Sequence, residues 1–403
     1  MKFRFVIPWY GEIPGGAERE CRKTAEGLAA RGHEVEVWTT TIRELDSNWN
    51  ISFHQDGAED LGGVRVRRFR ADVTDHDAFN DLNAKVLRGE RLTPEEERQF
   101  LAHSANSRKL CSALAEEPYE GITIVIPYCF GLSVAAARIR PERTFMIPCL
   151  HDEGYARLGT YTTVFNEIAG LILHSDAERR LVQELHRVPD EKIFMLGEGV
   201  DTDLAPEKDR FHHLYAPGPS FLLAVGRKDS GKNTPELLRY FERYRGRFPD
   251  SLLRLVLIGS GWVPVPPSLR PWVRDLGFRP RAHLVDALAA ADVLVQPSVH
   301  ESFSLAVMES WVCGTPVLVN GRCAVTKEFV EKSDGGLWYD DYPTFEIALR
   351  RLEGDADLRK ALGRQGSDFV RRNFAWPTVL DRYEALPGVS SECASPAEGA
   401  AKT

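Results

Sequence analysis

The sequence lacks any apolar run long enough to cross a bilayer. Its N-terminal apolar stretch extends only from Phe3 to Trp9, whereas a membrane span needs ~20 apolar residues. An acidic, glycine-rich segment follows this stretch at once, in place of the longer apolar core and cleavage site of a secretory signal peptide. The sequence therefore predicts a cytoplasmic protein.

Cysteine pairs of the metal-binding or redox kind are also lacking. The seven cysteines are scattered, and no two of them form a Cys-x-x-Cys pair. This pattern argues against a zinc ribbon or a disulfide framework and favours reduced thiols.

The chain also has no excess of positive charge. Its formal net charge of −8 argues against broad nucleic-acid binding, so we expect no nucleic-acid partner.

Two common nucleotide-binding motifs are missing. No Gly-x-Gly-x-x-Gly motif is present, which disfavours a nicotinamide or flavin dinucleotide site. The segment 226–233 matches a P-loop up to its last position, where Asn233 replaces the Ser or Thr that would hold magnesium. No later strand candidate ends in the aspartate of a Walker B element. A P-loop NTPase is therefore a disfavoured alternative.

What the chain does contain is an alternation of strand and helix signals. With 403 residues and 43% hydrophobic content, it is too long for one ordinary core, so two domains are expected. The segment Phe3–Pro8 predicts a buried strand, Ala17–Arg31 a helix and Glu34–Thr40 a second strand. Such β-loop-α-β units predict a parallel sheet that is covered by helices on both faces.

The alternation continues and then starts again after a charged, proline-containing stretch at residues 201–219. Further strand candidates are Val64–Phe69, Ile122–Ile126, Phe145–Leu150 and Leu171–His174, then Phe221–Val225, Leu253–Ile258, Val293–Gln296 and Pro316–Val319. We predict an α/β protein with two Rossmann-like domains, at residues 1–205 and 206–370, that face a cleft. A C-terminal helix at 371–386 is expected to pack back on the first domain, and 387–403 to form a disordered tail. In such sheets, ligands bind at the carboxyl ends of the strands.

Two cations stand in the first loop of the second series. Arg227 and Lys232 lie between a strand and a helix, where two permanent positive charges can neutralise a diphosphate without a metal. An ordinary basic turn is the alternative interpretation of this pair.

Two glutamates follow farther along the second series. Glu301 is predicted in a loop and Glu309, eight positions later, inside the next helix. The helical rise separates them by ~12 Å, which suits the two ends of one extended ligand and is too far for the paired carboxyls of a retaining glycosidase. Carboxylates accept hydrogen bonds from hydroxyl groups. Alternatively, Glu301 only favours a helix N-terminus.

In combination, these segments resemble the retaining GT-B glycosyltransferases of family four (glycosyl transferases group 1), in the family's order from residue 6 to about 340. The resemblance rests on Gly15-Gly16-Ala17-Glu18-Arg19, Arg31-Gly32-His33-Glu34-Val35, His151-Asp152, Gly226-Arg227 with Lys232, Pro297-Ser298 before Glu301-x7-Glu309, and Cys313-Gly314-Thr315-Pro316-Val317. It implies a GT-B fold, with a nucleotide-sugar donor on the C-terminal domain and the acceptor mostly on the N-terminal domain.

The resemblance also implies roles for individual residues. Arg227 and Lys232 would clamp the donor diphosphate and stabilise it as the leaving group. Glu301 would contact the hydroxyl groups of the transferred sugar, and Glu309 those of the ribose. His151 would lie near the donor sugar, so that Arg227, Lys232, Glu301 and His151 form the expected catalytic set.

Further donor contacts are implied in two loops. Gly15 and Gly16 would let the backbone of the first loop approach the phosphates closely. The segment Ser302-Phe303-Ser304-Leu305 would line the donor pocket. The family usually has glycines on both sides of this phenylalanine, so the two serines leave the identity of the donor sugar open.

The reaction implied is sugar transfer with retention, by front-face attack, from a nucleotide-sugar to an acceptor hydroxyl. No cofactor and no metal are expected. The acceptor stays open between a glycan, a lipid-linked and a small-molecule compound, and a lipid-linked acceptor would imply peripheral association with the cytoplasmic membrane. A GT-B-type sugar-nucleotide epimerase and a silent nucleotide-binding module are the alternatives, besides the P-loop NTPase.

Overall fold

Two separate β-sheets organise the computed structural model, which describes residues 1–13 and 15–388. The strands of the first sheet are β1 Lys2–Val6, β2 Glu34–Thr40, β3 Gly57–Leu61, β4 Val64–Phe69, β5 Ile122–Val125, β6 Thr144–Met146, β7 Gly170–Leu173 and β8 Ile193–Met195. Those of the second sheet are β9 Phe221–Val225, β10 Arg254–Ile258, β11 Val273–Asp275, β12 Val293–Gln296, β13 Val317–Asn320 and β14 Gly336–Tyr339. Most of the predicted disordered tail lies outside the described residues.

Helices connect successive strands. They are α1 Gly16–Ala30, α2 His76–Leu87, α3 Pro94–Ala102, α4 Arg108–Glu116, α5 Gly131–Ala137, α6 Gly159–Glu167, α7 Asp176–His186, α8 Lys208–Tyr215, α9 Thr234–Arg247, α10 Arg281–Ala290, α11 Leu305–Val312, α12 Ala324–Ser333, α13 Tyr342–Gly354, α14 Ala356–Asn373 and α15 Trp376–Glu384. Within the described residues, none of these helices has the length and apolar composition that a membrane crossing requires.

Both sheets have the topology of doubly wound α/β domains. The first has the order β3-β4-β2-β1-β5-β6-β7-β8 and the second the order β11-β10-β9-β12-β13-β14. All strand pairs are parallel except β3 with β4, which form an antiparallel hairpin at one edge of the first sheet. The predicted architecture of two Rossmann-like domains is therefore confirmed.

The helices cover both faces of each sheet. Along β9, Phe221 and Leu223 belong to one buried cluster, and the alternating Leu222 and Ala224 belong to another. Successive side chains of a strand point to opposite faces. Both faces of this strand are therefore buried, which explains why it is a continuous apolar run in the sequence.

Several elements differ from the sequence-based prediction. The strands β3, β8, β11 and β14 and the helix α8 were not predicted. The residues of β3 are Gly-Ala-Glu-Asp-Leu, mostly exposed, so no apolar pattern marks this edge strand. The predicted strand Phe145–Leu150 ends at Met146, and the chain turns at Cys149, whose φ is 54°.

The C-terminal helix α15 packs against α1 of the first domain. Leu380 lies over Gly27, where a Cβ atom would come within 2.9 Å of the leucine side chain. Around this contact, Arg31 forms ion pairs with Asp381 and Glu384 at 2.7 and 2.9 Å. The helix α15 thus returns from the second domain to the first. The boundaries of the domains in the sequence remain predictions.

We predict that Leu380→Ala lowers the free energy of unfolding by about 2–4 kcal/mol, because Leu380 is 5% exposed and its removal leaves a cavity against α1. Asp381→Ala on the same helix is the control. It should cost less than about 1 kcal/mol, because it breaks an exposed ion pair. Urea denaturation measures both values, and equal losses for the two variants would contradict this packing.

Candidate active site

The loop after β9 carries the two predicted phosphate-binding cations. β9 lies inside the second sheet, and this loop follows its carboxyl end and leads into α9. The Lys232 Nζ donates to Glu301 Oε1 at 2.7 Å. Arg227 is half exposed, and its Nε lies 3.2 Å from an oxygen of Asp229. The side chain of Lys232 is thus held against the loop of Glu301, whereas the side chain of Arg227 is half exposed to solvent.

Glu301 stands in the loop between β12 and α11. Its side chain is 9% exposed, and it also accepts a hydrogen bond from Gln296 Nε2 at 3.2 Å. The same Gln296 amide donates to Ser304 Oγ at 2.9 Å. Gln296, the last residue of β12, was not identified from the sequence. It connects the carboxylate with the start of α11 and so fixes the shape of this loop.

The four residues of the segment Ser302–Leu305 differ in how far their side chains are exposed. The side chain of Phe303 is 1% exposed and packs on Phe329 and Phe374 in the core. The side chain of Phe303 is therefore not available to a ligand, and the expected donor contact of this residue remains a prediction for its backbone. Ser304 is buried, whereas Ser302 and Leu305 are partly exposed.

The backbone conformation of Ser304 explains why glycine is usual in the family at this position. Its φ is 71°, in the left-handed region that glycine adopts without steric cost. The hydrogen bond from Gln296 accompanies this conformation. The departure from the family pattern thus places a hydroxyl group inside the loop, in contact with Gln296.

Glu309 lies within α11 and is almost completely buried. Its Oε1 accepts from Arg19 Nη1 at 2.5 Å, and its Oε2 accepts from Arg281. Arg19 belongs to α1 of the first domain and also donates to Asp201 at 3.1 Å. The predicted ribose-binding carboxylate is therefore located where the two domains meet. The two arginines that hold it were not assigned a role from the sequence.

The glycine-rich loop of the first domain also lies close to Glu309. Gly15 has a φ of 151°, a backbone conformation that residues with a side chain rarely adopt, so this position favours glycine. Gly16 begins α1, and a Cβ atom on it would meet nothing within 4 Å. Because Arg19 follows in the first turn of α1, the start of this helix faces Glu309.

His151 lies across the cleft from the loop of Glu301. It follows β6 of the first sheet, and its ring centroid is 6.5 Å from that of His300, the residue before Glu301. His151 Nδ1 is 3.4 Å from Glu153 Oε1. Although burial raises the pKa of Glu153, hydrogen bonds with His151 and Tyr128 bring it below its usual value. His300 was not identified from the sequence.

The structure thus brings most of the predicted residues to the meeting point of the two sheets' carboxyl ends. Direct contacts connect Lys232 with Glu301 and the start of α1 with Glu309. Within the described part of the chain, no group of three or more His, Cys, Asp or Glu side chains is arranged to hold a metal ion. The expectation of a metal-independent site remains a prediction.

A buried ionic cluster lies beneath the site. His174, after β7, donates from Nε2 to Glu20 of α1 at 2.8 Å, and its backbone N–H donates to Glu178 at 2.8 Å. Burial lowers the pKa of His174, but the Glu20 carboxylate outweighs this effect and raises the pKa to about 10. A protonated His174 therefore anchors α1, the helix that carries Arg19.

Comparison with known proteins identifies the family. The profile of Glycosyltransferase Family 4 matches residues 14–204, and that of Glycosyl transferases group 1 matches residues 219–355. The chain belongs to this glycosyltransferase family. The match confirms the resemblance seen in the sequence, and it supports a glycosyltransferase and not a sugar-nucleotide epimerase.

Curated relatives agree with this assignment. The D-inositol 3-phosphate glycosyltransferase of Jonesia denitrificans is 29% identical over 390 residues, which cover 90% of this chain and 88% of that protein. The enzyme of the same name from Corynebacterium kroppenstedtii is 29% identical over 261 residues, or 59% of this chain and 56% of that protein. For several of these glycosyltransferase relatives, the match thus spans little more than half of their length.

Solved structures show the same fold. Sucrose-phosphate synthase from Thermosynechococcus elongatus has a TM-score of 0.69 at 17% identity, with coverage of 95% of this chain and 97% of that one. A trehalose-phosphate synthase from Burkholderia xenovorans, solved with glucose-6-phosphate, has a TM-score of 0.72 at 13% identity, with coverage of 96% and 99%. These similarities establish the GT-B fold of the glycosyltransferase family.

We predict that His174→Gln destabilises the protein by about 3 kcal/mol near pH 6.5 and below, because it leaves buried Glu20 without its charged partner. The pKa of folded His174, about 10, lies above that of an ordinary histidine. Its contribution is therefore complete below the unfolded pKa and is lost as the pH rises through 10. Denaturation at pH 6 and pH 10 should show the large difference from wild type only at pH 6.

The matched control is His213→Gln, at an exposed position of α8. It should leave the stability unchanged at both pH values. A loss for His174→Gln that is equally large at pH 10 would show that His174 stabilises the protein through packing and not through its charge.

Proposed function

We propose that this chain is a retaining glycosyltransferase that moves a sugar from a nucleoside-diphosphate sugar to an acceptor hydroxyl without a metal ion. The observation that carries this proposal is the 2.7 Å contact between Lys232 and Glu301. It places a cation suited to the diphosphate next to a carboxylate suited to sugar hydroxyl groups, in a family of glycosyltransferases.

Lys232 and Arg227 stabilise the leaving group. Negative charge develops on the diphosphate as its bond to the sugar breaks, and fixed cations lower the energy of that state. Arg227 is half exposed and pairs with the half-exposed Asp229, so it can turn toward a bound diphosphate. The start of α1 at Gly15 and Gly16 adds backbone N–H groups from the opposite domain.

The sugar is oriented by groups from both domains. Glu301 accepts hydrogen bonds from its hydroxyl groups, and His151 and His300 approach from the two sides of the cleft. Glu309 accepts hydrogen bonds from the ribose hydroxyl groups after one of its arginine partners moves aside.

In front-face attack, the anomeric carbon loses its bond to the phosphate oxygen and gains one to the acceptor oxygen on the same face. The acceptor proton passes to the departing phosphate.

The names of similar proteins support a particular class of donor and of acceptor. Structures of this fold were solved with UDP-2-fluoro glucose and with UDP and glucose, which favours a UDP-sugar as the donor here. The acceptor in the names of the curated relatives is D-inositol 3-phosphate, which favours a small hydroxyl-rich acceptor. Peripheral membrane association of this chain remains a prediction for the lipid-linked alternative.

We predict that Lys232→Ala lowers kcat by about 10²–10³-fold, because the leaving group loses a fixed cation. Glu301→Gln should lower it as well, because a neutral amide replaces the carboxylate that orients the sugar. Steady-state assays with UDP-glucose, GDP-mannose and a panel of acceptors measure these effects. Arg239→Ala is the matched control, since Arg239 is an exposed cation of α9 outside the site, and it should retain full activity.

We further predict that EDTA leaves the transfer rate unchanged, and that donor turnover without an acceptor is limited to slow hydrolysis. The same assays, followed by NMR of the product's anomeric proton, measure rate and stereochemistry. Fast conversion of the donor sugar without an acceptor would favour an epimerase. Loss of activity in EDTA, restored by Mg²⁺, would contradict the metal-independent mechanism.

A further inference from the structure

Two arginines from different domains share the buried carboxylate of Glu309. Arg19 of α1 donates to its Oε1 and Arg281 of α10 donates to its Oε2. The Glu309 side chain is 4% exposed, so both of its oxygens are occupied by an arginine and almost closed off from solvent. A hydroxyl group of a ligand therefore reaches Glu309 only when one of the two arginines gives way.

Arg19 is the more firmly held of the two arginines. Its side chain is 20% exposed, and its Nη2 donates to Asp201 Oδ2 at 3.1 Å. The other oxygen of Asp201 accepts from Trp376 Nε1 at 2.9 Å. The neighbouring Val200 N–H donates to the carbonyl of Phe374 at 2.7 Å, which fixes the backbone next to Asp201. Arg19 is thus anchored to two carboxylates, and the second of them is itself held in place.

Arg281 is held less firmly. It is the first residue of α10, and its side chain is 42% exposed. Within residues 1–13 and 15–388, Glu309 is the one carboxylate with which Arg281 forms an ion pair. A half-exposed arginine loses little when it exchanges a carboxylate for water. Displacing Arg19 would instead break two ion pairs and leave Glu309 without its interdomain partner.

We propose that Arg19 is a positioning residue, which holds Glu309 in the orientation that accepts the ribose hydroxyl groups while Arg281 moves aside. This inference rests on the proposed function, because it concerns the donor of that reaction. Arg19 acts through Glu309 and not by contact with the donor. Since Arg19 belongs to the first domain and Glu309 to the second, the ribose contact is complete only while α1 stays beside α11. The first domain thereby contributes to the affinity for the donor nucleotide.

The test compares ligands with and without ribose hydroxyl groups. Isothermal titration calorimetry measures the Kd of the full chain for UDP or GDP, whichever the wild type binds more tightly, for its 2′,3′-dideoxy analogue and for inorganic pyrophosphate. Arg19→Met should weaken nucleotide binding by about tenfold, because a charge-assisted hydrogen bond that orients Glu309 is lost. It should leave the binding of the dideoxy analogue and of pyrophosphate unchanged. Arg19→Lys should recover part of the loss, because lysine keeps the charge without the two-pronged geometry.

Arg281→Met is the matched comparison, because it removes the other arginine from the same carboxylate. It should leave nucleotide binding unchanged or make it tighter, since the ribose no longer displaces an arginine. In a Glu309→Gln background, Arg19→Met should have no further effect on nucleotide binding. Equal losses of nucleotide affinity in the two arginine variants would overturn the proposal. An Arg19→Met loss that is equally large for pyrophosphate would also overturn it.

A second variant covers the case in which Arg19→Met does not fold. Asp201→Asn keeps the ion pair of Arg19 with Glu309 and weakens only the second anchor of Arg19. It should reduce nucleotide affinity by a smaller factor than Arg19→Met and leave pyrophosphate binding unchanged. Unchanged nucleotide affinity in Asp201→Asn would contradict the anchoring of Arg19 on which the proposal is based.

Lys232→Ala separates a failure of this proposal from a failure of the proposed function. If Lys232→Ala weakens the binding of nucleotide and pyrophosphate but Arg19→Met weakens neither, the positioning role of Arg19 is wrong and the proposed function stands. If the wild-type chain binds neither UDP nor GDP, the proposed function is wrong and the positioning role with it.

Discussion

The contact between Lys232 and Glu301 is the interaction on which the candidate site depends. It connects the loop after β9 with the loop after β12, two strands that are neighbours in the second sheet. Parallel strands bring their carboxyl ends to one edge, so side chains about 70 positions apart in the chain meet there. The partly buried pair keeps both charged groups beside the space that a diphosphate and a sugar would share.

The first domain completes the site through α1. Arg19 of this helix contacts Glu309 and Asp201, so the helix start with its two glycines lies against the second domain. His174 and Glu20 anchor the same helix from below, and α15 covers its outer side. The position of one helix therefore connects the buried charges, the C-terminal packing and the cleft.

The sequence predicted the strands with apolar runs and the loops that follow them, because burial on both faces leaves a clear pattern, as in β9 and β12. It did not predict β3, whose polar residues pair only at a sheet edge. It predicted that Glu301 and Glu309 belong to one site, but not that Arg19 and Arg281 already hold Glu309, since such contacts arise only when distant segments pack together. It also did not predict that the Phe303 side chain packs in the core, because the motif gives no information on the direction of a side chain.

The most direct test of the account is a crystal structure of the chain with a nucleoside-diphosphate sugar bound. We expect phosphate oxygens within hydrogen-bond distance of Lys232 and Arg227, and hydroxyl groups of the sugar within hydrogen-bond distance of Glu301. A diphosphate bound elsewhere in the cleft, with the ion pair of Lys232 and Glu301 intact and remote from the ligand, would contradict this site.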